Sequence, residues 1–247
     1  MIGTVLQVCP LRTILLSLDG RKGGQASSED LVPLGYGERE KDRVRVMLVI
    51  GLTGNFGTGK TTVSQILVEL GAIIIDADKL GHDLLQPDTE TYGEILAAFG
   101  KSILKPNREI DRNKLGKLVF ADATALTRLN QIMHPRMYEL AKQRTEQCRN
   151  QGAKVVVLEA ALLIEAGWKP LLDQLWVTTA PETTIARRLK KSRGLSEEQV
   201  MSRLQAQMPQ KEKMKQADVV INTDCSLEEL KSRVTELWHK LPAGKGH

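Results

Sequence analysis

Eight consecutive residues, 54–61, read Gly-Asn-Phe-Gly-Thr-Gly-Lys-Thr and match the phosphate-binding loop pattern G-x-x-x-x-G-K-[ST]. In this pattern backbone N–H groups surround a nucleotide's phosphates, while the lysine and the hydroxyl, here Lys60 and Thr61, reach the terminal phosphates and Mg²⁺. An apolar run precedes the loop, and apolar residues at helical spacing follow it up to Gly71. Because this order aims a helix N-terminus at an anion, it predicts a nucleotide site. The expected nucleotide contacts are Gly57, Thr58, Gly59, Lys60, Thr61 and Thr62.

The chain has 247 residues and a formal net charge of +5. This length suits one large α/β domain, and the mild surplus of positive charge suits polyanionic small molecules at least as well as nucleic acid. Basic residues do not alternate with aromatic residues, so we expect no nucleic-acid partner. The three cysteines are far apart without a C-x-x-C motif, which indicates reduced thiols in a cytoplasmic setting. No apolar run has the length of a membrane span, so we expect no membrane partner.

Residues 1–46 differ from the rest, because the stretch 20–30 is rich in glycine, serine and charge and has little to bury. We expect a poorly ordered arm, or an upstream extension of a chain whose functional start is Met47. A weaker organelle-targeting interpretation stays open because arginine and serine are present. The functional domain is expected over 47–240, followed by a tail at 241–247.

Five short apolar runs predict the strands of a parallel sheet flanked by helices, since helical patterns alternate with them. These runs lie at 47–52, 73–75, 154–159, 174–178 and 219–221. Residues 79–150 carry only helical signals, which predicts a helical insertion between the second and third strands. Residues 181–216 are helix-rich and basic. Ser226 and Glu229 form a capping box that predicts the start of the last helix.

Asp76 and Asp78 follow the second strand, where ligands bind in open parallel sheets. Phosphoryl transfer needs a carboxylate to orient and deprotonate the attacking hydroxyl, and Asp78 is the candidate general base. The two carboxylates project to one side if the strand continues. The alternative is that one or both cap a turn or the next helix, which is the favoured interpretation for Asp76.

Glu159 ends the third strand, where an acidic residue often holds the Mg²⁺ shell through water. The alternative is that Glu159 is a solvated carboxylate.

Arg187 belongs to a basic helical cluster at 187–193. A mobile lid, with Gly194 as its hinge, would bring this cluster to the transferring phosphoryl group. The alternative is a solvated basic face. His134 precedes Pro135, which favours an extended conformation at His134 and a structural role.

These pieces resemble the dephospho-CoA kinase family over about residues 47–240. Beyond the phosphate loop the matching segments are Asp76-Ala77-Asp78, Asp111-Arg112, His134-Pro135, Leu162-Leu163-Ile164-Glu165, Gln207-Met208-Pro209 and Ala217-Asp218-Val219-Val220-Ile221. The resemblance implies a P-loop NTPase fold and the ATP-dependent phosphorylation of the ribose 3′-hydroxyl of dephospho-CoA, the last step of coenzyme A biosynthesis. It also implies that Asp78 is the base, that 79–150 binds CoA and that 181–216 is the lid. Monomers or weak homo-oligomers are expected.

The sequence departs from the family's pattern at several positions. Asn55 stands where the family often has glycine, and Glu159 where it often has aspartate. Ser192 and Arg193 replace an Arg-Asp pair in the lid, so we favour Arg187 as the catalytic lid arginine, together with Asp78 and Lys60.

Other functions stay open from the residues alone. A P-loop kinase of another small alcohol or nucleotide acceptor would share the fold and loop and differ in the insertion. A regulatory nucleotide switch is disfavoured because the guanine-reading pattern fails at 113–116, where Asn-Lys-Leu-Gly lacks the required aspartate. A module that has lost catalysis is disfavoured by the intact Lys60, Thr61 and Asp78.

Overall fold

The computed structural model describes residues 47–205 and 207–242, so the expectations for the arm at 1–46 and for most of the tail lie outside the described residues. The strands are β1 (Leu48–Thr53), β2 (Ile73–Asp76), β3 (Val155–Glu159), β4 (Gln174–Thr179) and β5 (Val219–Asn222). The helices are α1 (Lys60–Glu69), α2 (Ala77–Leu84), α3 (Glu90–Phe99), α4 (Arg112–Ala121), α5 (Ala123–Asn150), α6 (Glu182–Arg193), α7 (Glu197–Gln205), α8 (Gln210–Lys215) and α9 (Leu227–Lys240).

All five strands are parallel and lie in the order β2-β3-β1-β4-β5. The central strand β1 is buried along its whole length, as expected for a strand covered on both faces. The register places Asp76 beside Glu159, and Glu159 beside Leu52. The carboxyl ends of β1, β2 and β3 therefore meet at one edge of the sheet, where the phosphate loop follows β1.

The sheet separates two apolar layers. On one face α1 and α9 pack against the sheet through residues such as Leu67, Val234 and Trp238. On the other face the helices between β2 and β3 share one core with the strands, including Ile95, Leu129 and Met133. The predicted α/β fold with five parallel strands is confirmed. In the described part of the chain no helix is long and apolar enough to cross a membrane.

One local prediction was wrong, and the condition attached to another expectation is not met. Pro135 lies inside α5, and His134 is helical. Proline removes one backbone hydrogen bond there, but burial of Leu129, Met133 and Met137 on the same helix face outweighs that local preference. Asp78 does not continue β2: the Asp76 carboxylate accepts hydrogen bonds from the Asp78 and Lys79 N–H groups, and this cap starts α2 immediately after the strand.

Candidate active site

The phosphate loop connects β1 to α1 through backbone conformations that favour glycine. Gly57 and Gly59 have φ of 81° and 86°. A Cβ atom at Gly57 would lie 2.8 Å from Cγ2 of Ile185 on α6, so both conformation and space require glycine. Gly59 precedes α1 without a side-chain cap hydrogen bond. The first N–H groups of α1 consequently stay available to an anion.

Lys60 is folded back onto the loop, where its Nζ donates to the carbonyls of Gly54 at 2.9 Å and Asn55 at 3.3 Å. Burial lowers the pKa of Lys60 to about 8, although the nearby carboxylates of Glu159 and Asp78 act in the opposite direction. The ammonium group thus lies between the phosphate loop and two acidic side chains, close to where terminal phosphates would bind.

Asp78 lies in the first turn of α2 and is half-buried. Burial, with smaller effects from the charges of Asp76 and Glu159, raises its pKa to about 6, although the charges of Lys60 and Arg112 act in the opposite direction. A carboxylate with a pKa near neutrality combines ionisation at working pH with useful basicity, as a general base requires.

Glu159 ends β3, and its Oε2 accepts a 2.6 Å hydrogen bond from the hydroxyl of Ser64 on α1. Burial raises the pKa of Glu159, against the effects of the Ser64 hydrogen bond and the Lys60 charge. Ser64 thereby fixes a carboxylate at the mouth of the cleft. Sequence reasoning missed this partner, because a serine four residues past Lys60 carries no signal of its own.

One cleft unites most of the predicted site. Its walls include Gly57, Gly59, Lys60, Thr61, Asp78 and Glu159. Thr58 and Thr62 do not line it: Thr58 is buried inside the loop, where its hydroxyl donates to the Asn55 carbonyl at 2.7 Å. Six of the predicted site residues, two of them glycines, therefore line one space large enough for a polyphosphate.

Arg187 does not reach the cleft and is exposed on α6. Ile185 and Leu189 on this helix are buried, so the helical period turns Arg187 away from the cleft and Arg188 and Arg193 towards it. Arg188 donates to the Thr223 hydroxyl at 3.0 Å and to the Thr223 carbonyl at 2.6 Å. The apolar positions of α6 were the signal that could have identified these two arginines.

Helices α6 and α7 contact the phosphate loop through Phe56. The guanidinium groups of Arg193 and Arg203 lie 4.9 and 5.1 Å from the centroid of the Phe56 ring. The Phe56 N–H donates to Gln207 Oε1 at 2.8 Å, and the Asn55 amide donates to the Met208 carbonyl at 3.3 Å. Residues 207 and 208, which lie between α7 and α8, therefore hold the phosphate loop by two hydrogen bonds.

A buried ion pair continues this network. Lys213 on α8 is fully buried, and its Nζ lies 2.9 Å from Glu165 Oε1 and donates to the Ala161 carbonyl at 2.5 Å. Glu165 Oε1 also accepts from the Met208 N–H at 3.3 Å. Burial lowers the pKa of Lys213, while Glu165 acts in the opposite direction. The pair connects the segment after β3 to the residues that hold the phosphate loop.

The fold and the cleft define a P-loop kinase. The family profile described as dephospho-CoA kinase matches residues 48–229. The dephospho-CoA kinase of Geobacter sulfurreducens is 45% identical over 194 residues, which cover 78% of this chain and 98% of that protein. The dephospho-CoA kinase of Dehalococcoides mccartyi is 44% identical over 76% of this chain and 94% of its own length.

Solved structures with a similar fold support the same family assignment. The crystal structure of TT1252 from Thermus thermophilus is 32% identical with a TM-score of 0.69, covering 79% of this chain and 98% of that one. The structure of dephospho-CoA kinase from Campylobacter jejuni is 26% identical in sequence and has a TM-score of 0.62. The match covers 80% of this chain and 98% of that one. The chain therefore belongs to the dephospho-CoA kinase family, whose reaction is the ATP-dependent phosphorylation of dephospho-CoA in coenzyme A biosynthesis.

The buried pair predicts a large loss of stability on Lys213→Met. This change leaves Glu165 buried without its cation, and we expect the free energy of unfolding in urea to fall by about 3–5 kcal/mol. The control is Lys231→Met, which removes an exposed ion pair with Glu69 and should cost at most about 1 kcal/mol. Equal losses in the two variants would contradict a central role for the buried pair.

The raised pKa of Asp78 predicts that Asp78→Asn stabilises the fold above about pH 6. The unfolded carboxyl ionises near pH 3.8 and the folded one near 6, so wild-type stability falls between these values and stays lower above them. The asparagine variant avoids this loss. Urea unfolding should therefore give a difference between the two proteins that grows from pH 4 to 6. The control is Asp83→Asn, at an exposed position of α2. A stability difference that does not change with pH, or that changes as it does for Asp83→Asn, would contradict a raised pKa at Asp78.

Proposed function

We propose that Asp78 accepts the proton of the ribose 3′-hydroxyl of dephospho-CoA while that oxygen attacks the γ-phosphorus of ATP. The new P–O bond forms as the bond to the β–γ bridging oxygen breaks, and ADP leaves. The observation that carries this assignment is the position of Asp78 in the same cleft as Lys60, with a pKa raised to about 6 by burial.

The N–H groups of Gly57, Gly59, Lys60 and Thr61, which line the cleft, and the Lys60 ammonium would hold the phosphates of ATP. Lys60 has to leave the carbonyls of Gly54 and Asn55, and phosphate oxygens would replace them as acceptors. We propose that Arg188 and Arg193, and not Arg187, bring positive charge to the transferring phosphoryl group, because these two arginines line the cleft. Arg112, near enough to Asp78 to lower its pKa, would add positive charge on the acceptor side.

A magnesium ion fits the oxygen donors of this cleft, with Thr61 and Glu159 as its protein ligands, the latter directly or through water. Among the described residues no group of three or more His, Cys, Asp or Glu side chains could hold a metal alone. That agrees with Mg²⁺, which usually takes one or two protein ligands together with substrate phosphates. When bound, the ion neutralises charge on the β- and γ-phosphates.

We further propose that residues 79–150 supply the acceptor site and that 181–216 close over ATP about Gly194, which ends α6 with φ of 63°. A monomer or weak homo-oligomer, a cytoplasmic location and the absence of a nucleic-acid partner stay predictions from the sequence.

Asp78→Asn should lower kcat with dephospho-CoA by roughly 10²–10⁴-fold, because general-base catalysis is lost. The affinity for ATP should stay unchanged, since the phosphate loop is intact. In the wild type, kcat/KM should rise with pH through about 6 as Asp78 ionises and fall above about 8 as Lys60 loses its proton. Coupled ADP release against pH measures both effects. Undiminished turnover in the variant would remove Asp78 from the mechanism.

Glu159→Gln should raise the Mg²⁺ concentration needed for half-maximal rate by roughly tenfold or more, because a charged ligand is replaced by a neutral amide. The matched control is Glu159→Asp, which keeps the charge and places the residue usual in the family. A magnesium titration at saturating ATP compares the three proteins. The same Mg²⁺ requirement in all of them would argue against Glu159 as a metal ligand.

A further inference from the structure

Phe56 belongs to the phosphate loop, but its side chain is directed at α6 and α7. It is half-buried, lines the ATP cleft and packs against an apolar cluster that includes Leu189 on α6 and Val200 on α7. The phosphate-loop pattern accepts any residue at this position, because the loop surrounds phosphates with its backbone N–H groups. The pattern therefore does not explain why this chain has an aromatic ring at position 56.

Two cations share this ring. The guanidinium groups of Arg193 and Arg203 lie 4.9 and 5.1 Å from its centroid, within the distance of about 6 Å at which the negative faces of an aromatic ring attract a cation. Arg193 is the last residue of α6, and Arg203 lies in α7. The ring therefore links the end of one helix to the next helix, across the turn that begins at Gly194.

Arg193 differs from Arg188 in what holds it. Arg188 donates two hydrogen bonds to Thr223. Arg193 is exposed, and its guanidinium group makes no hydrogen bond or ion pair with the described residues. The ring attracts the charge of Arg193 and uses none of its N–H donors, which stay available to phosphate oxygens.

Arg193 and Lys60 face the same space, because both line the ATP cleft. Burial is the main cause of the lowered pKa of Lys60, and the charge of Arg193 acts in the same direction. Without a phosphate between them the two cations repel each other, which favours turning the exposed arginine away into water. The attraction of the Phe56 ring opposes this repulsion and keeps the guanidinium group at the cleft.

We propose that Phe56 is a positioning residue for phosphoryl transfer, whose ring holds the guanidinium group of Arg193 at the cleft with its N–H donors unoccupied. The inference rests on the proposed function, because it takes the γ-phosphoryl group of ATP to lie beside Lys60. A positive charge that is already in place needs no reorganisation when charge develops in the transition state, so the ring should act on kcat. Arg203 binds the same ring and ties α7 to it.

The experiment is a double-mutant cycle on Phe56 and Arg193. Phe56→Leu keeps an apolar side chain without a ring, Phe56→Tyr keeps the ring, and Arg193→Met removes the charge from a long side chain. The matched control cycle uses Arg187→Met, because Arg187 is exposed on the same helix and does not line the cleft. Steady-state ADP release with dephospho-CoA gives kcat. Calorimetric titration with a non-hydrolysable ATP analogue gives Kd and the concentration of folded protein, so kcat is corrected for any variant that folds poorly.

We expect Phe56→Leu to lower kcat roughly 5- to 30-fold, the effect of losing one or two cation–π contacts. The Kd of the ATP analogue should change by less than about threefold, because the phosphate-loop backbone and Lys60 are unchanged. Phe56→Tyr should stay within about twofold of the wild type. When Arg193→Met is already present, Phe56→Leu should cost less than about twofold, whereas its full cost should remain when Arg187→Met is present.

A full loss from Phe56→Leu in the Arg193→Met background would overturn the inference, because the ring would then act by packing alone. An equal loss in Phe56→Tyr would overturn it too, as would weaker binding of the ATP analogue with kcat unchanged. Failure of the proposed function looks different: the wild type itself would then release no ADP with dephospho-CoA, and both proposals would fall together. An active wild type with additive variants contradicts only the role of Phe56.

Discussion

The contact between Lys213 and Glu165 holds together parts of the site that are distant in sequence. Lys213 is fully buried and bonds to Glu165 and to the Ala161 carbonyl, and Glu165 bonds to the Met208 N–H. Residues 207 and 208 in turn hold Phe56 and Asn55 of the phosphate loop. The segment after β3, helix α8 and the phosphate loop are thus connected by hydrogen bonds, of which the bond from Lys213 to the Ala161 carbonyl is buried and the others are partly buried. Because Lys213 itself is fully buried, loss of its carboxylate partner is costly.

The sheet register sets the electrostatics of the cleft. Because Asp76 and Glu159 are neighbours across β2 and β3, two carboxylates meet at one edge, and the cap formed by Asp76 adds Asp78 to them. Lys60 lies among these charges, and burial moves its pKa and that of Asp78 toward neutrality from opposite sides. The fold thus keeps a crowded, partly buried carboxyl group at the position that we propose for the general base.

The parts of this arrangement that follow from local pattern were predictable. A few consecutive residues determine each of three features: the phosphate loop, the five strands and the capping box at Ser226. The structure contains all of them. The sequence favours a capping role for Asp76, and the structure confirms it. The same cap ends β2 at Asp76, so Asp78 lies in a helix.

What the sequence did not reveal depends on contacts between distant segments. Pro135 reads locally as a helix end, yet packing of α5 keeps the helix intact. The choice between Arg187 and its neighbours needed the buried face of α6. Ser64, Lys213 and Gln207 act through partners 95, 52 and 151 residues away in the chain, which no spacing pattern records.

The central claim is that this cleft transfers the γ-phosphoryl group of ATP to the 3′-hydroxyl of dephospho-CoA. The most direct measurement incubates the purified protein with Mg²⁺-ATP and dephospho-CoA, follows ADP, and locates the new phosphate by ³¹P NMR and mass. The account predicts one ADP for each phosphate gained, with the phosphate on the ribose 3′-oxygen. ADP released without phosphorylated acceptor, or a phosphate at any other position, would contradict it.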